Sequence, residues 1–389
     1  MTSLATRLSG PASTTIFELM SGLARELGAI NLGQGFPDMD EPRELVEAAQ
    51  RALAGHSNQY PPMRGLPELR AAIADYYARE QGLEIDPAGI VVTSGATEAL
   101  AASLLALVRP GDEVILVQPL YDAYLPLVEW AGGTARFVSL KPPLWTLPLD
   151  ELAAAIGPNT RGIVLNTPNN PTGTMLSRAE LEAVGALAEA HDLWVVCDEV
   201  WEGMVFDETP HVSPLTIPAL AGRTVKIGSA GKIFSMTGWK VGWAVAAQPL
   251  AAAVAGKHQF LTFTTATPLQ WAVAEALALP PEWHRSHRAR YADARAGLVE
   301  GLTRAGFAVL PASGTWFVTL DLAASGLPAD DAALAERLIR AAGVASIPVS
   351  AFYAEAPERG FLRLCFAKQD ATLDEAIERL ARFREKGEI

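Results

Sequence analysis

Cysteine is nearly absent from this chain of 389 residues, which contains only Cys197 and Cys365, both within apolar runs. A disulfide framework is therefore excluded as the source of stability, and a reducing compartment fits this cysteine content. No run of about 18 apolar residues predicts a membrane span. Residues 1–10 lack the apolar core of a signal peptide. These absences predict a soluble cytoplasmic protein.

Basic residues are also few, because the sequence has 31 Lys and Arg against 44 Asp and Glu, which gives a net charge of −13. This balance argues against a surface for nucleic acid or anionic membrane, although it leaves room for a local anion pocket. Half of the residues are hydrophobic (50%) and the mean hydropathy is +0.17, so a large core can be buried. No repeat, low-complexity tract or flexible linker interrupts the chain.

Several motifs that mark common enzyme classes are missing. There is no G-x-G-x-x-G after a predicted strand, no P-loop, no G-x-S-x-G and no H-E-x-x-H. His284 and His287 would share a helix face, but their arginine-rich surroundings favour a solvated helix over a metal site. We therefore predict no metal.

Short β-branched runs alternate with helical segments through the middle of the chain. Strands are predicted at 90–93, 113–117, 136–139, 162–165, 193–197, 225–228 and 241–245. This alternation predicts an α/β fold with a mainly parallel sheet covered by helices on both faces. After about residue 280 the pattern changes to that of a smaller α+β unit. We predict a large domain at 46–280 and a small domain formed by 1–45 and 281–389.

A loop rich in glycine and serine, residues 228–243 (GSAGKIFSMTGWKVGW), carries Lys232 and Lys240. Small residues let the backbone approach a ligand closely. A lysine in such a loop can hold a phosphate or, near another cation, act as an amine nucleophile. Taken alone, the segment is more typical of a surface loop with two solvated lysines.

Three other loops follow predicted strands and carry unusual polar residues. Residues 94–98 (SGATE) place free backbone N–H groups at a helix N-terminus, which is an anion site. Residues 167–173 (TPNNPTG) hold two amides between prolines. Asp198 ends a buried strand, where an aspartate either caps a helix or meets a cation. Ligands of parallel sheets bind beyond the carboxyl ends of the strands.

One ligand needs all of these parts, namely pyridoxal 5′-phosphate. Its phosphate would meet the helix N-terminus at 95–100, Ser229 and Lys240. Its aldehyde would meet Lys232, its phenolic oxygen Asn170, and its ring nitrogen Asp198. A carboxylate that keeps this nitrogen protonated makes the ring an electron sink.

These motifs resemble the class I/II aminotransferases, which are fold type I pyridoxal-phosphate enzymes. The resemblance runs from residues 31–38 (NLGQGFPD) to 363–368 (RLCFAK). It is greatest to the kynurenine/glutamine aminotransferases and the bacterial methionine aminotransferases. The phrases that carry it are 58–60 (NQY), 166–173 (NTPNNPTG), 347–353 (IPVSAFY) and the stretch around Lys232.

The resemblance implies a role for each matching residue. Lys232 would form a Schiff base with the cofactor and, once released, move the substrate proton. Asp198 would pair with the ring nitrogen, Asn170 with the phenolic oxygen, and Tyr121 would stack on the ring. The family usually has tyrosine where this chain has Trp201, whose indole N–H can donate but not accept or ionise. The contact to the phenolic oxygen is then altered, or packing alone explains the tryptophan.

The resemblance also implies a phosphate site shared between subunits. The residues of this chain that would hold the phosphate are Gly95, Ala96, Thr97, Ser229 and Lys240. Tyr60 would reach the phosphate from the neighbouring subunit, which makes the active unit a homodimer.

On the substrate side, the resemblance implies that Arg363 grips the α-carboxylate as a bidentate fork. The Gly35 backbone and Asn170 would assist there. The side chain of the substrate would lie near an apolar wall made by Ile16, Phe17, Phe36 and Tyr60. This wall favours methionine, glutamine or aromatic donors, kynurenine included, over aspartate. Arg64 is the remaining candidate for a distal carboxylate.

The expected reaction is therefore ping-pong transfer of an amino group from an L-amino acid to a 2-oxo acid. Two alternatives stay open at this point. One is a carbon–sulfur β-lyase, which shares the same cofactor chemistry. The other is a non-catalytic pyridoxal-phosphate-binding regulator, which would need a basic DNA-binding domain that these residues do not supply.

Overall fold

The computed structural model describes residues 15–207 and 209–387. Its strands are β1 (Ile30–Asn31), β2 (Ile90–Thr93), β3 (Glu113–Gln118), β4 (Thr134–Ser139), β5 (Thr160–Asn166), β6 (Trp194–Asp198), β7 (Thr224–Ser229), β8 (Gly242–Val245), β9 (Ala308–Val309), β10 (Phe317–Asp321), β11 (Val344–Ala345), β12 (Ile347–Pro348) and β13 (Phe361–Cys365).

Its α-helices are α1 (Ile16–Leu27), α2 (Arg43–Gly55), α3 (Pro67–Gln81), α4 (Ala96–Leu107), α5 (Tyr124–Trp130), α6 (Leu149–Ala155), α7 (Arg178–Ala190), α8 (Pro218–Ala221), α9 (Ala230–Ile233), α10 (Gln248–Leu261), α11 (Thr267–Leu277), α12 (Pro281–Arg304), α13 (Asp331–Arg337) and α14 (Asp370–Glu385). No helix of the described residues is long and apolar enough to cross a membrane.

The larger sheet has seven strands in the order β2-β8-β7-β6-β5-β3-β4. All neighbours run parallel except β8, which is antiparallel to β2 and β7. Its central strands are buried on both faces, which explains their continuous apolar sequences. Because parallel strands share one carboxyl edge, Gln118, Asn166, Asp198 and Ser229 end along the same side of the sheet.

A second, antiparallel sheet has the order β12-β13-β10-β9, with Arg363 of β13 opposite Thr319 of β10. A short parallel pair joins β1 to β11, so a segment near the beginning of the chain packs with the later part. All strands of the larger sheet fall inside 46–280, and those of the antiparallel sheet fall inside 281–389. The domain boundaries themselves stay a prediction.

Local sequence explains where several helices begin and end. Before α7, the Ser177 hydroxyl accepts from the N–H of Glu180 while the Glu180 carboxylate accepts from the N–H of Ser177, which is a capping box. Proline starts α3 at a position where its missing N–H costs nothing. Gly82 ends that helix with a φ of 64°, a left-handed conformation that glycine adopts without strain.

The prediction that His284 and His287 lie on a solvated face of a helix is wrong. Both side chains are buried, and the His284 ring lies against the rings of Tyr76 and Phe234. Burial, the largest cause, together with nearby arginines lowers the pKa of His287 to about 4. The arginines that suggested a solvated helix occupy other faces of α12, so composition alone could not identify the inward face.

Candidate active site

A cavity of about 240 Å³ lies at the carboxyl edge of the larger sheet. Its lining contains Gly95, Ala96, Thr97, Leu100, Tyr121, Asp198, Val200, Ser229, Gly231, Lys232, Thr237 and Lys240. Residues predicted from four separate stretches of sequence thus meet around one space. They meet because the strands that carry them end at the same edge.

The turn that precedes α4 lines one end of this cavity. Gly95 has a φ of 81°, and a Cβ added there would lie 3.1 Å from Cε of Lys240. A Cβ on Gly242 would lie 2.7 Å from the N atom of Ala96, so this position also requires glycine. The free N–H groups at the start of α4 and the Lys240 ammonium therefore lie together, which makes an anion site.

Lys232 lies on α9, the short helix that follows β7. Its Nζ is 4.6 Å from the ring centroid of Trp201 and 5.1 Å from that of Trp316. Burial lowers the pKa of Lys232 to about 8, with Arg363 and Lys240 acting in the same direction and Asp198 opposing them. A substantial fraction of this amine is consequently neutral near pH 8, as a nucleophile or base requires.

Asp198 ends β6 in a buried position. Tyr124 Oη donates to its Oδ2 at 2.6 Å, and the backbone N–H of Val200 donates to its Oδ1 at 3.2 Å. Burial raises the pKa of Asp198 to about 6, while these hydrogen bonds and Lys232 oppose the rise. Sequence reasoning missed Tyr124, although its place one helical turn after Tyr121 was a usable signal.

Arg363 is 1% exposed, yet it forms no ion pair with a carboxylate of the described residues. Its Nη1 donates to Asn170 Oδ1 at 2.7 Å and its Nη2 to the Gly33 carbonyl at 2.5 Å, whereas Nε has no partner there. Burial lowers the pKa of Arg363 to about 9. Three rings surround the guanidinium: Phe17 at 5.3 Å, Phe317 at 3.9 Å and Phe352 at 4.9 Å. A buried cation of this kind suits an incoming carboxylate.

The loop at 31–38 lies against Arg363, and Gly33 supplies the carbonyl that accepts from its Nη2. The contact of the Gly35 backbone with the substrate carboxylate stays a prediction. Gly35 packs so closely on Phe317 that a Cβ there would lie 2.6 Å from the ring. Phe36 is half exposed, and the Lys368 ammonium lies 4.7 Å from its ring.

Two further predicted residues lie outside the cavity of this chain. Tyr60 is 82% exposed and makes an edge contact with Phe263 at 5.6 Å. The Nη1 of Arg64 donates to the carbonyl of Ala88 at 2.8 Å. Neither is among the residues that line the cavity.

Trp201 is buried beside the cavity and belongs to an aromatic cluster. Its ring meets Trp316 edge-on at 4.8 Å and Phe317 at 5.5 Å. The cluster presents ring faces to the Lys232 ammonium, so packing accounts for much of this tryptophan's position. Sequence reasoning missed Trp316, because nothing in the strand-like segment around it pointed to the cavity.

The family described as aminotransferase class I and II matches residues 28–380 of the sequence. The chain belongs to this family. It is 43% identical over 388 residues to the probable N-succinyldiaminopimelate aminotransferase DapC of Mycobacterium tuberculosis, covering 97% of this chain and 98% of that protein. It is 42% identical over 368 residues to the methionine aminotransferase of Escherichia coli, covering 94% and 95%.

Solved structures agree with this assignment. The structure of N-succinyldiaminopimelate aminotransferase from M. tuberculosis has a TM-score of 0.92 at 44% identity, covering 96% of this chain and 98% of that chain. An aspartate aminotransferase of Thermus thermophilus has a TM-score of 0.88 at 35% identity, covering 98% and 100%. The fold is therefore the fold type I architecture predicted from the sequence.

This aminotransferase uses pyridoxal 5′-phosphate, as members of the family do. The cavity fits that group, because an anion site, a partly neutral lysine amine and a buried carboxylate line the same space. The similarity to aminotransferases along nearly the whole chain does not favour the β-lyase alternative, and it identifies an enzyme rather than a non-catalytic regulator.

Proposed function

We propose that the enzyme transfers the amino group of methionine, glutamine or an aromatic amino acid such as kynurenine to a 2-oxo acid. The observation that carries this proposal is Arg363, a buried guanidinium without a carboxylate partner among the described residues and with three phenyl rings around it. The guanidinium suits the α-carboxylate of a substrate. The rings provide apolar contacts for the rest of the molecule and no charge for a second carboxylate.

Pyridoxal 5′-phosphate supplies an aldehyde that condenses with amines and a ring that accepts electrons from the substrate. Within this site, Lys232 Nζ would hold the cofactor and then take a proton from the substrate Cα. Asp198 would hold a proton on the ring nitrogen, because its buried carboxylate stabilises a neighbouring positive charge. Asn170 would donate to the phenolic oxygen through its amide, since Arg363 already engages its Oδ1. Tyr121 would stack on the ring.

The phosphate would bind at the start of α4. Backbone N–H groups of a helix N-terminus suit an anion there. The residues proposed to contact it are Gly95, Ala96, Thr97, Ser229 and Lys240. Trp201, at the position where relatives usually have tyrosine, would contribute a ring face toward Lys232 instead of a phenolic hydroxyl.

We further propose a cytoplasmic homodimer in which Tyr60 reaches the phosphate of the partner subunit. Exposed apolar side chains around Tyr60 support this, because Phe260 is 84% exposed and Leu261 and Phe263 are exposed as well. Such a patch is typical of an interface. The two cysteines are free thiols, which fits a reducing compartment.

A panel of amino donors, scored by the 2-oxo acid formed, tests the substrate class. Methionine, glutamine, kynurenine and phenylalanine should give kcat/KM values well above those of aspartate and N-succinyl-diaminopimelate, which carry a further carboxylate. A preference for either of these acidic donors would contradict the proposal. Formation of pyruvate and ammonia from cystathionine without any oxo acid would instead revive the β-lyase alternative.

A further inference from the structure

Glu98 lies buried in the first turn of α4, beside the turn proposed to bind the phosphate. Its Oε2 accepts from the backbone N–H of Ser94 at 2.5 Å. Its Oε1 accepts from the Thr262 hydroxyl at 2.7 Å and faces His258 Nδ1 at 2.6 Å. A carboxylate therefore occupies the same helix N-terminus that would receive a phosphate. Two anions that close to each other repel strongly unless a cation lies between or beside them.

His258, near the end of α10, is fully buried between two acceptors. Its Nδ1 faces the Glu98 carboxylate, and its Nε2 lies 2.9 Å from the carbonyl oxygen of Met63. A carbonyl and an ionised carboxylate both lack a proton to donate, so both ring nitrogens must carry hydrogen, which makes the ring an imidazolium. Burial alone would lower the pKa of His258, but the hydrogen bond and the charge of Glu98 raise it.

The ion pair between Glu98 and His258 also links the turn before α4 to the segment that carries Tyr60. His258 contacts the carbonyl of Met63, three residues after Tyr60. On the N-terminal side of Tyr60, the Thr267 hydroxyl donates to the carbonyl of Gln59 at 2.8 Å. Glu98 in turn holds the backbone N–H of Ser94, the residue before Gly95. One buried ion pair thus fixes two segments that are both proposed to meet a phosphate.

We propose that His258 is a positioning residue of the phosphate site, whose imidazolium neutralises Glu98 and so permits a phosphate dianion to bind at the turn before α4. The inference rests on the phosphate role proposed above for that turn. It predicts that loss of the imidazolium weakens binding of the phosphate in particular, because the remaining charge of Glu98 acts on an anion and hardly on the ring of the cofactor.

The test compares two ligands of the full-length protein after removal of its cofactor. His258→Gln should weaken binding of pyridoxal 5′-phosphate by about tenfold or more, since close like charges are costly. It should change binding of pyridoxal, which lacks the phosphate, by less than about twofold. Thr262→Val is the matched control, because it removes a hydrogen bond from the same carboxylate without changing any charge. Its affinity for pyridoxal 5′-phosphate should stay near that of the wild type.

A double variant separates charge neutralisation from mere packing. In Glu98→Gln/His258→Gln both charges are gone while the amide oxygen can still accept from Ser94, so affinity for pyridoxal 5′-phosphate should recover toward the wild-type value. The proposal is overturned if the double variant binds more weakly than His258→Gln, or if His258→Gln weakens both ligands equally. A wild-type protein that binds pyridoxal as tightly as pyridoxal 5′-phosphate would instead refute the proposed phosphate site itself.

Discussion

The substitution Arg363→Lys tests how the substrate carboxylate is recognised. It keeps a positive charge at the centre of the three rings but removes the planar fork of donors. In the structure that fork contacts two neutral acceptors, Asn170 Oδ1 and the Gly33 carbonyl, and Nε has no partner among the described residues. A lysine ammonium is a compact charge without this fixed geometry. We expect it to satisfy fewer of these acceptors and to bind a carboxylate through one contact in place of two.

The expected loss follows from that geometry. A hydrogen bond to a charged group contributes about 1.5–3 kcal/mol. Since 1.4 kcal/mol corresponds to a tenfold change, loss of one such bond should lower kcat/KM by about 10- to 150-fold. Arg363→Ala removes the charge as well, so its effect should be larger.

Steady-state kinetics with methionine over a wide concentration range provides the measurement. Arg340→Lys is a matched control, because Arg340 is exposed on the surface and pairs with Glu336. Cofactor content and melting temperature of both variants should be compared with those of the wild type, so that loss of folding is not mistaken for loss of recognition. If Arg363→Lys retains its cofactor and a kcat/KM within about twofold of wild type, carboxylate recognition by Arg363 is refuted.

Only the neutral form of Lys232 is nucleophilic, and its pKa is about 8. The rate at which cofactor-free enzyme takes up pyridoxal should therefore rise with pH up to about 8 and then level off. A stopped-flow rate that does not change with pH would count against this. Tyr124→Phe removes a donor to the ionised carboxylate of Asp198, so the pKa of Asp198 should rise further and kcat should fall by about tenfold. A spectrophotometric pH titration of the holoenzyme provides the measurement. A titration curve unchanged from that of the wild type would show that Tyr124 does not act through Asp198. Phe260→Asp should convert the proposed dimer to monomers in gel filtration. Leu144→Asp is the control, because Leu144 is also exposed (65%) but lies elsewhere on the surface, and this variant should stay dimeric. Equal elution volumes of the two variants would contradict the proposed interface.

Much of the fold could be predicted because its signals are local. The predicted strands of the larger sheet all fall within or beside observed strands, since buried parallel strands are short, β-branched runs bounded by loops. The helices α10 and α11 were not predicted. Alanine is abundant in both, and α11 is buried on most sides, from Gln270 to Leu277, so no apolar stripe with helical spacing stands out.

The site was predictable as a set of residue types and less so as a set of contacts. Cofactor chemistry pointed to a lysine, an aspartate and an amide after different strands. The common edge of the sheet brings Lys232 and Asp198 to one cavity. The amide of Asn170 is not among the residues that line this cavity and accepts from Arg363. The hydrogen bond from Arg363 to the Gly33 carbonyl was not predicted, because it depends on how an irregular loop packs. His258 and Tyr124 contact Glu98 and Asp198, which are distant from them in sequence, so the only local signal was the place of Tyr124 three residues after Tyr121.

Two lysines close in sequence show why the same residue type is structural in one place and reactive in another. Lys226, within β7, is fully buried, and its Nζ lies 2.5 Å from both Glu199 and Glu202. Burial alone would lower the pKa of Lys226, but these two carboxylates raise it, so the side chain stays a protonated ammonium. Lys232 has no carboxylate at ion-pair distance in the part of the chain described, and burial lowers its pKa to about 8.

The same contrast extends to Lys240 and Arg363, the cations whose charges act on Lys232. Lys232 and Arg363 are buried without an ion pair to any described carboxylate, and Lys240 is pressed against the turn before α4. Asp198 is the acid that lines this space. In a protein with a net charge of −13, this local excess of positive charge is energetically costly until anions arrive. A phosphate and a substrate carboxylate are the anions that this chemistry brings, so with the proposed roles the cofactor and the substrate would balance the positive charge that the described residues leave unpaired.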